Sequence, residues 1–342
     1  MSNMDQKKPI IGVTMGDPAG IGPEITVKLA LEKTKEAEGQ ILLIGDTEIV
    51  EATLRKNQKT TKVIQHTTFQ RESFAPQHIN VYDPSKSHAN KIIVGEVSEL
   101  AGEVSMLFNR NAANLAMDGA IDAIVTAPVT KASAKLAGYD YAGQAEYFAK
   151  LAGDQLFTTI LIYREFKAAL FTTHLPLKQA CEEVKREKLI KKIKFLHERR
   201  KDLGYPDLRM AITSLNPHAG ERGTMGREEI EEIEPAIKFC QNLGIDLTGP
   251  FPVNALISPP YDGRNFDLTL ALYHDQVVSR MNMLETTTLT FGLPFIRTSV
   301  GHGSALDIAG KNMADSKAIG ITYDHTLDLA KLRLRAKIKN KI

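Results

Sequence analysis

Short apolar runs alternate with longer segments of helical period along nearly the whole chain, and this alternation restricts the fold more than any other feature. PIIGVTMG (9–16), QILLIGD (40–46) and IDAIVTAP (121–128) are bounded by Gly, Pro or Asp, as buried strands are. Between them, ITVKLALEKTKEA (25–37) and EVSELAGEVSMLFNRNAANLAM (96–117) place apolar residues three and four apart, the spacing of one helix face. The same grammar continues through TTILIY, FKAALFTTH, LRMAITSLNPH and DLTLALYH, with the helical segments 182–204 and 227–244 among them. Strand, helix, strand in this order predicts an α/β fold with mainly parallel sheets. At 342 residues the chain is long enough for about two domains of roughly 150 residues each.

Composition excludes several classes. With 43 % hydrophobic and 25 % charged residues the chain is that of a folded globular protein. Basic and acidic residues nearly balance, at 43 against 41, and there is no Trp, so neither a phosphate-neutralising surface nor a stacking platform stands out and nucleic acid is not an expected partner. The N-terminal apolar run is too short for a signal peptide or membrane span, which predicts a cytoplasmic protein without a membrane partner. Cys181 and Cys240 stand apart from each other and from any CxxC pattern, as reduced thiols do. The C-terminal LAKLRLRAKIKNKI reads as a basic amphipathic surface helix and as the least ordered part of the chain.

Three strand-like runs close on the same residue: AALFTTH at His174, MAITSLNPH at His218 and LTLALYH at His274. Ligands of parallel α/β sheets bind outside the carboxyl ends of strands, so three imidazoles delivered there can converge on one point. An open three-His site suits a divalent ion such as zinc, cobalt or iron and leaves a position for substrate. His66, His78, His88, His197 and His325 lack this context and read as surface residues, and His302 belongs to a motif of its own. Asp275, beside His274, is a candidate to support a ligand or handle a proton; a strand-end cap is its alternative role.

Two glycine-rich loops complete the picture. GDPAGIGPE (16–24) follows the first strand and opens a helix, but Ile25 stands where a dinucleotide fingerprint needs its third Gly or Ala, and no GxxxxGK[ST] loop exists. GLPFIRTSVGHGSALDIAG (292–310) carries Arg297, a fixed cation able to hold a carboxylate or phosphate with two parallel bonds.

GDPAGIGPE, APVTK (127–131), TTHLPL (172–177), LNPHAGE with GTMGREE (215–229), YHDQ (273–276) and the 292–310 segment together resemble the 4-hydroxythreonine-4-phosphate dehydrogenase family, in that family's order and across nearly the whole chain. HGSALDIAGKNMAD is also similar to the cofactor loop of isopropylmalate and isocitrate dehydrogenases. The resemblance implies two α/β subdomains with the active site in the cleft between them, placed at 1–130 plus 300–342 and at 131–299. It implies that His174, His218 and His274 ligate a divalent metal (Zn, Co or Mg) across a homodimer interface. Arg297 becomes a substrate-phosphate contact, Lys131 of APVTK a catalytic candidate, and Gly303, Ser304, Ala305 and Asp307 the binders of NAD or NADP. The reaction implied is oxidation of 4-phosphohydroxy-L-threonine followed by decarboxylation, a step of vitamin B6 synthesis.

The departures from the family fall on the substrate. Gln144 and Ala145 stand where the family has His-Thr, both phosphate contacts. The connection from YHDQ to Arg297 is a few residues shorter, lacks the family's Lys, and has Thr288 in place of an Asn, with Arg280 the nearest cation. Metal and cofactor chemistry read as retained and the phosphate grip as rewritten. The alternative is therefore the same reaction on another hydroxy acid, a four-carbon sugar acid phosphate such as D-erythronate or D-threonate 4-phosphate, or an unphosphorylated carboxylate. A non-catalytic protein stapled by metal is disfavoured, because structural zinc prefers closed, Cys-rich sites.

Overall fold

The structure is a computed structural model that describes residues 8–34, 38–84, 91–153, 155–257 and 266–339. The chain forms two compact units, Met1–Phe157 with Thr290–Lys331 and Thr158–Leu289 with Leu332–Ile342. The boundaries expected at 130 and 299 fall elsewhere, so Lys131, Gln144, Ala145 and Arg297 all lie in the first unit.

In the first unit, β1 (Ile10–Thr14), β2 (Gln40–Ile44), β3 (Val63–His66), β4 (Ile79–Tyr82), β5 (Ala123–Thr126) and β12 (Ile296–Val300) take the order β3-β4-β2-β1-β5-β12, every pair parallel. All five residues of β1 are buried, as a strand covered on both faces requires. Its helices are α1 (Gly22–Lys33), α2 (Thr47–Lys56), α3 (Glu99–Met117), α4 (Lys131–Leu136) and α5 (Gln144–Leu151). Asp46 caps α2 by accepting from the Ile49 N–H at 3.1 Å, and Ser98 caps α3 by accepting from the Ala101 N–H at 3.2 Å. The turn into α1 is too tight for a side chain: a Cβ at Gly22 would lie 2.0 Å from the Met15 carbonyl oxygen.

In the second unit, β6 (Thr158–Tyr163), β7 (Phe166–Leu170), β8 (Met210–Thr213), β9 (Leu247–Phe251) and β10 (Leu268–Ala271) take the order β6-β7-β10-β8-β9. β6 and β7 form an antiparallel hairpin; the remaining pairs are parallel. Its helices are α6 (Leu177–Glu183), α7 (Arg186–Glu198), α8 (Glu234–Asn242), α9 (Val253–Ile257) and α10 (Asp275–Val278). β11 (Thr286–Phe291) and α11 (Lys317–Lys339) each run across the division.

Several expectations need correction. The C-terminal segment is the expected helix, continuing α11 through Lys339, but its start is not a solvated surface, since Leu329 and Ala330 are buried. His66 is a core residue, bonded through Nε2 to Asn80 Oδ1 at 2.9 Å and set edge-on against Phe69. His197 and His325 are half-buried, and His88 lies outside the described residues. No helix among the described residues is long and apolar enough to cross a membrane.

Candidate active site

β7, β10 and β8 are neighbours and parallel, so their carboxyl ends emerge at one edge of the second unit. His174, His218 and His274 each follow one of these strands in a short turn, slightly beyond the strand end that the apolar runs suggested. The rings of His174 and His274 come together, with centroids 5.9 Å apart. His218 does not join them: among the described residues no three His, Cys, Asp or Glu side chains cluster closely enough to hold a metal. It begins a left-handed stretch, His218 to Arg222, with φ between 40° and 73°. Asp275 Oδ1 lies 2.7 Å from Nδ1 of His274. A proton on Nδ1 shared with that carboxylate leaves Nε2 as a free lone pair, the form in which imidazole ligates a metal. His174 and His274 thus supply two donors of the kind a divalent ion takes, and no third joins them among the described residues.

Buried polar side chains hold these turns in place. Gln276 accepts from the Leu272 N–H at 2.8 Å and from the Thr213 hydroxyl at 2.8 Å, and donates to the Ser214 carbonyl at 2.7 Å, tying the end of β10 to the end of β8. Thr172 donates to the Leu272 carbonyl at 2.8 Å, which ties in β7. Glu229, 1 % exposed, accepts from the Leu215 and Asn216 N–H groups and from Asn216 Nδ2, each at 2.8 Å, and so anchors the loop that carries His218. A core strand here ends in polar residues because each strand-end turn would otherwise leave backbone groups without partners. Changing Glu229 to Ala strands the Leu215 and Asn216 N–H groups, while Asn216 Nδ2 keeps Glu228 Oε2 at 2.7 Å, and is expected to lower unfolding free energy by roughly 3 kcal/mol. Faster hydrogen exchange in 215–226 should accompany it. A loss below about 1 kcal/mol in urea titrations would show that the loop holds itself.

The first unit holds the phosphate and cofactor candidates. Arg297 on β12 is 2 % exposed. Its Nη1 donates to the Thr290 hydroxyl at 3.0 Å, its Nη2 to the Thr126 hydroxyl at 2.6 Å, and its plane lies over Phe148 at 5.1 Å. Nε has no acceptor, and no carboxylate pairs with the guanidinium among the described residues. Burial pushes its pKa down to about 9, against the opposing pull of Glu146. A cation with only hydroxyl partners in a buried site lacks the anion that would balance it.

Gln144 opens α5 with its amide already engaged at both ends. Oε1 accepts from Asn109 Nδ2 at 3.1 Å, and Nε2 donates to the Ala127 carbonyl at 3.3 Å. Ala145 offers no polar group, and Lys131 is exposed at the start of α4. Thr288, half-buried on β11, and Arg280, exposed just past α10, belong to the second unit.

The glycine-rich loops meet. The Ser304 carbonyl accepts from the Ile21 N–H at 2.9 Å, and its hydroxyl lies 2.6 Å from that of Thr130. A Cβ at Gly20 would fall 2.6 Å from the Ser304 oxygen, so the 16–24 loop needs glycine there to let the 302–310 loop dock. Ser304 thus locks loop to loop. Gly303 has open space where a Cβ would stand, Ala305 is left-handed at φ 41°, and Asp307 is exposed in the turn that follows.

Comparison with known proteins bears on the whole of this arrangement. Residues 37–322 match the family described as "Pyridoxal phosphate biosynthetic protein PdxA". The chain belongs to the PdxA family. A Halalkalibacterium halodurans protein named, provisionally, a D-threonate 4-phosphate dehydrogenase is 36 % identical over 313 residues, covering 91 % of this chain and 93 % of its own. A crystal structure of 4-hydroxythreonine-4-phosphate dehydrogenase from Klebsiella pneumoniae superposes with a TM-score of 0.83 at 33 % identity, covering 94 % of this chain and 100 % of that one. A terephthalate 1,2-cis-dihydrodiol dehydrogenase from Burkholderia xenovorans gives 0.63 at 25 % identity, covering 92 % and 98 %. PdxA membership agrees with the resemblance carried by the motifs.

Glu229, Thr172 and Asn109 were not singled out from the sequence, and Gln276 stood out there only as a polar strand end without a role. Glu229 and Gln276 do sit inside the GTMGREE and YHDQ motifs, and a buried polar role was open to inference there. Nothing in the helical pattern of 96–117 marks Asn109.

Proposed function

We propose that this PdxA-family chain is a metal- and NAD(P)-dependent dehydrogenase that oxidises and decarboxylates a four-carbon hydroxy acid 4-phosphate, with D-threonate 4-phosphate favoured over 4-phosphohydroxy-L-threonine. The observation that carries the phosphate assignment is Arg297, a buried guanidinium with hydroxyl partners and no anion. The choice between substrates is supported by the name of the 36 %-identical relative and by the departures at Gln144 and Ala145. With its amide occupied by Asn109 and Ala127, Gln144 does not replace the donors that a family His-Thr pair provides.

The chemistry follows from the substrate's carbon chain. NAD or NADP, which Gly303, Ser304, Ala305 and Asp307 would hold, would supply the acceptor for the hydride of the C3–H bond, and the C3 hydroxyl would give its proton to a base of the chain, for which Asp275 and Lys131 are the candidates. The resulting 3-oxo acid is β to its carboxylate and loses CO2; the enediol takes a proton at C2 and leaves as a three-carbon ketose phosphate. Arg297 fixes the phosphate end and so orients C3. A divalent ion held by the histidines would polarise the C3 oxygen, lowering the barrier to both steps. Asp275 keeps the His274 ring in the ligating tautomer. The family resemblance implies that the three histidines are shared in a homodimer; within one chain His174 and His274 come together without His218. Its setting is the cytoplasm.

Steady-state kinetics with NAD and NADP test it, over D-threonate 4-phosphate, D-erythronate 4-phosphate, 4-phosphohydroxy-L-threonine and unphosphorylated threonate. D-Threonate 4-phosphate is expected to exceed the amino acid at least tenfold in kcat/KM, about 1.4 kcal/mol of discrimination. Equal efficiency on the amino acid would return the chain to the B6 reaction, and no turnover of any phosphorylated acid would remove the phosphate assignment.

A further inference from the structure

We propose that Thr126 and Thr290 are positioning residues for the phosphate grip, holding Arg297 so that its Nε side faces the anion; this rests on the phosphate reading above. The strand register brings the first of them to the guanidinium. Arg297 on β12 pairs with Ile124 on β5, and Thr126 comes two residues further along β5, on the same face of the sheet because side chains alternate. Its hydroxyl thus lies where the arginine side chain ends. Thr290, seven residues before Arg297, comes from β11, the neighbour of β12 in the sheet, and belongs to the same unit.

Three contacts leave the guanidinium one orientation. Phe148, itself buried, backs it at 5.1 Å and limits its tilt, and Phe295 braces that ring edge-on at 6.1 Å. The hydroxyls fix its rotation. Thr126 donates its own proton to the Thr298 carbonyl at 3.1 Å, so its oxygen is left to accept from Nη2 at 2.6 Å, while Thr290 accepts from Nη1 at 3.0 Å. Both terminal nitrogens are thereby engaged, each through one of its two protons. Nε is buried without an acceptor among the described residues, and with the free proton of its neighbouring Nη it forms a fork that takes two oxygens of a phosphate side by side. Without the hydroxyls that fork has no fixed aim.

Steady-state kinetics on Thr126→Val, Thr290→Val and the matching Thr→Ser variants test the assignment, with D-threonate 4-phosphate and unphosphorylated threonate as substrates. Each Val variant is expected to raise KM for the phosphorylated acid roughly tenfold, the lower end of one charge-assisted hydrogen bond, with kcat less affected. The Ser variants keep the oxygen and should match the wild type. Thermal melts give a readout independent of turnover: inorganic phosphate should raise the melting temperature of the wild type and the Ser variants, and that of the Val variants less. The two threonines lie on different strands, so one Val variant serves if the other fails to fold. Wild-type KM and a full phosphate shift in a folded Val variant would overturn the proposal, as would a loss that falls equally on unphosphorylated threonate or that Ser does not rescue. Arg297→Met separates the proposal from the reading beneath it. If that variant keeps its KM and its phosphate shift, the phosphate assignment itself fails; if it loses both while the Val variants lose neither, only the positioning role does.

Discussion

Replacing Arg297 with Met is expected to lower kcat/KM for a 4-phosphorylated hydroxy acid by roughly 10²- to 10⁴-fold and to leave the unliganded protein no less stable. Two hydrogen bonds from a charged group to phosphate are worth about 1.5–3 kcal/mol each, and their sum converts to that range. The stability arm runs against intuition for a core residue. A buried cation without an anion costs folding free energy, and an apolar side chain of similar length removes that cost. Thr126 keeps its own bond to the Thr298 carbonyl at 3.1 Å when the guanidinium is gone. Lys is no substitute, because a point charge cannot reproduce the fork. Thermal melts with and without inorganic phosphate separate the interpretations: the wild type should be stabilised by phosphate and the Met variant should not. A variant that melts earlier and keeps its kcat/KM would make Arg297 a structural residue and strip the phosphate assignment of its support.

Changing His274 to Ala should reduce bound divalent metal from about one ion per chain to a small fraction and lower kcat by at least about a thousandfold. A metal ion supplies several kcal/mol of charge stabilisation in reactions of this type, and each 1.36 kcal/mol is tenfold in rate. The fold should survive, since the His274 side chain is more than a third exposed and its one described hydrogen bond is to Asp275, itself 82 % exposed. His218 to Ala is expected to act in the same direction, and Asp275 to Asn more mildly, by about 10- to 100-fold in metal affinity. Elemental analysis of dialysed protein with parallel rate measurements decides the matter. Metal content and turnover unchanged in the His274 variant would end the case for a histidine-held ion.

Much of the fold was legible because parallel strands buried on both faces are continuous apolar runs, and β1, β2, β5, β7, β8 and β10 all read that way. β3 and β9 were not legible. VIQH keeps only His66 buried and LTGPF only Leu247, so neither shows a run or an alternation. The convergence of the His174 and His274 turns could be foreseen from the rule that ligands gather at strand carboxyl ends, since β7 and β10 are adjacent. The position of His218 could not, because five left-handed residues in a row redirect the chain after β8 and no residue type announces such a run. Arg297 was marked as an anion binder by its chemistry, but its burial under Phe148 depends on α5 packing that no local pattern encodes. Gln144 was visible only as a departure. Its bonds to Asn109 and Ala127 join segments far apart in sequence.

The larger segment of the second unit, Thr158–Leu289, interrupts the first unit in sequence, and this has a consequence for the chain as it leaves the ribosome. β5 and β12 are neighbours, yet Thr126 and Arg297, which share a hydrogen bond, are separated by 171 residues. At roughly 5–20 residues per second, on the order of ten to thirty seconds of translation pass between them. Throughout that interval the β5 edge has no β12 to cover it, while every residue from Thr158 to Leu289 emerges and can fold in its place. A nascent chain stalled before Ile296 would present an open apolar strand edge, the kind of surface that pairs with other chains. The Arg297 environment is thus among the last parts of the protein to exist, and a stop before it would leave the phosphate grip missing altogether.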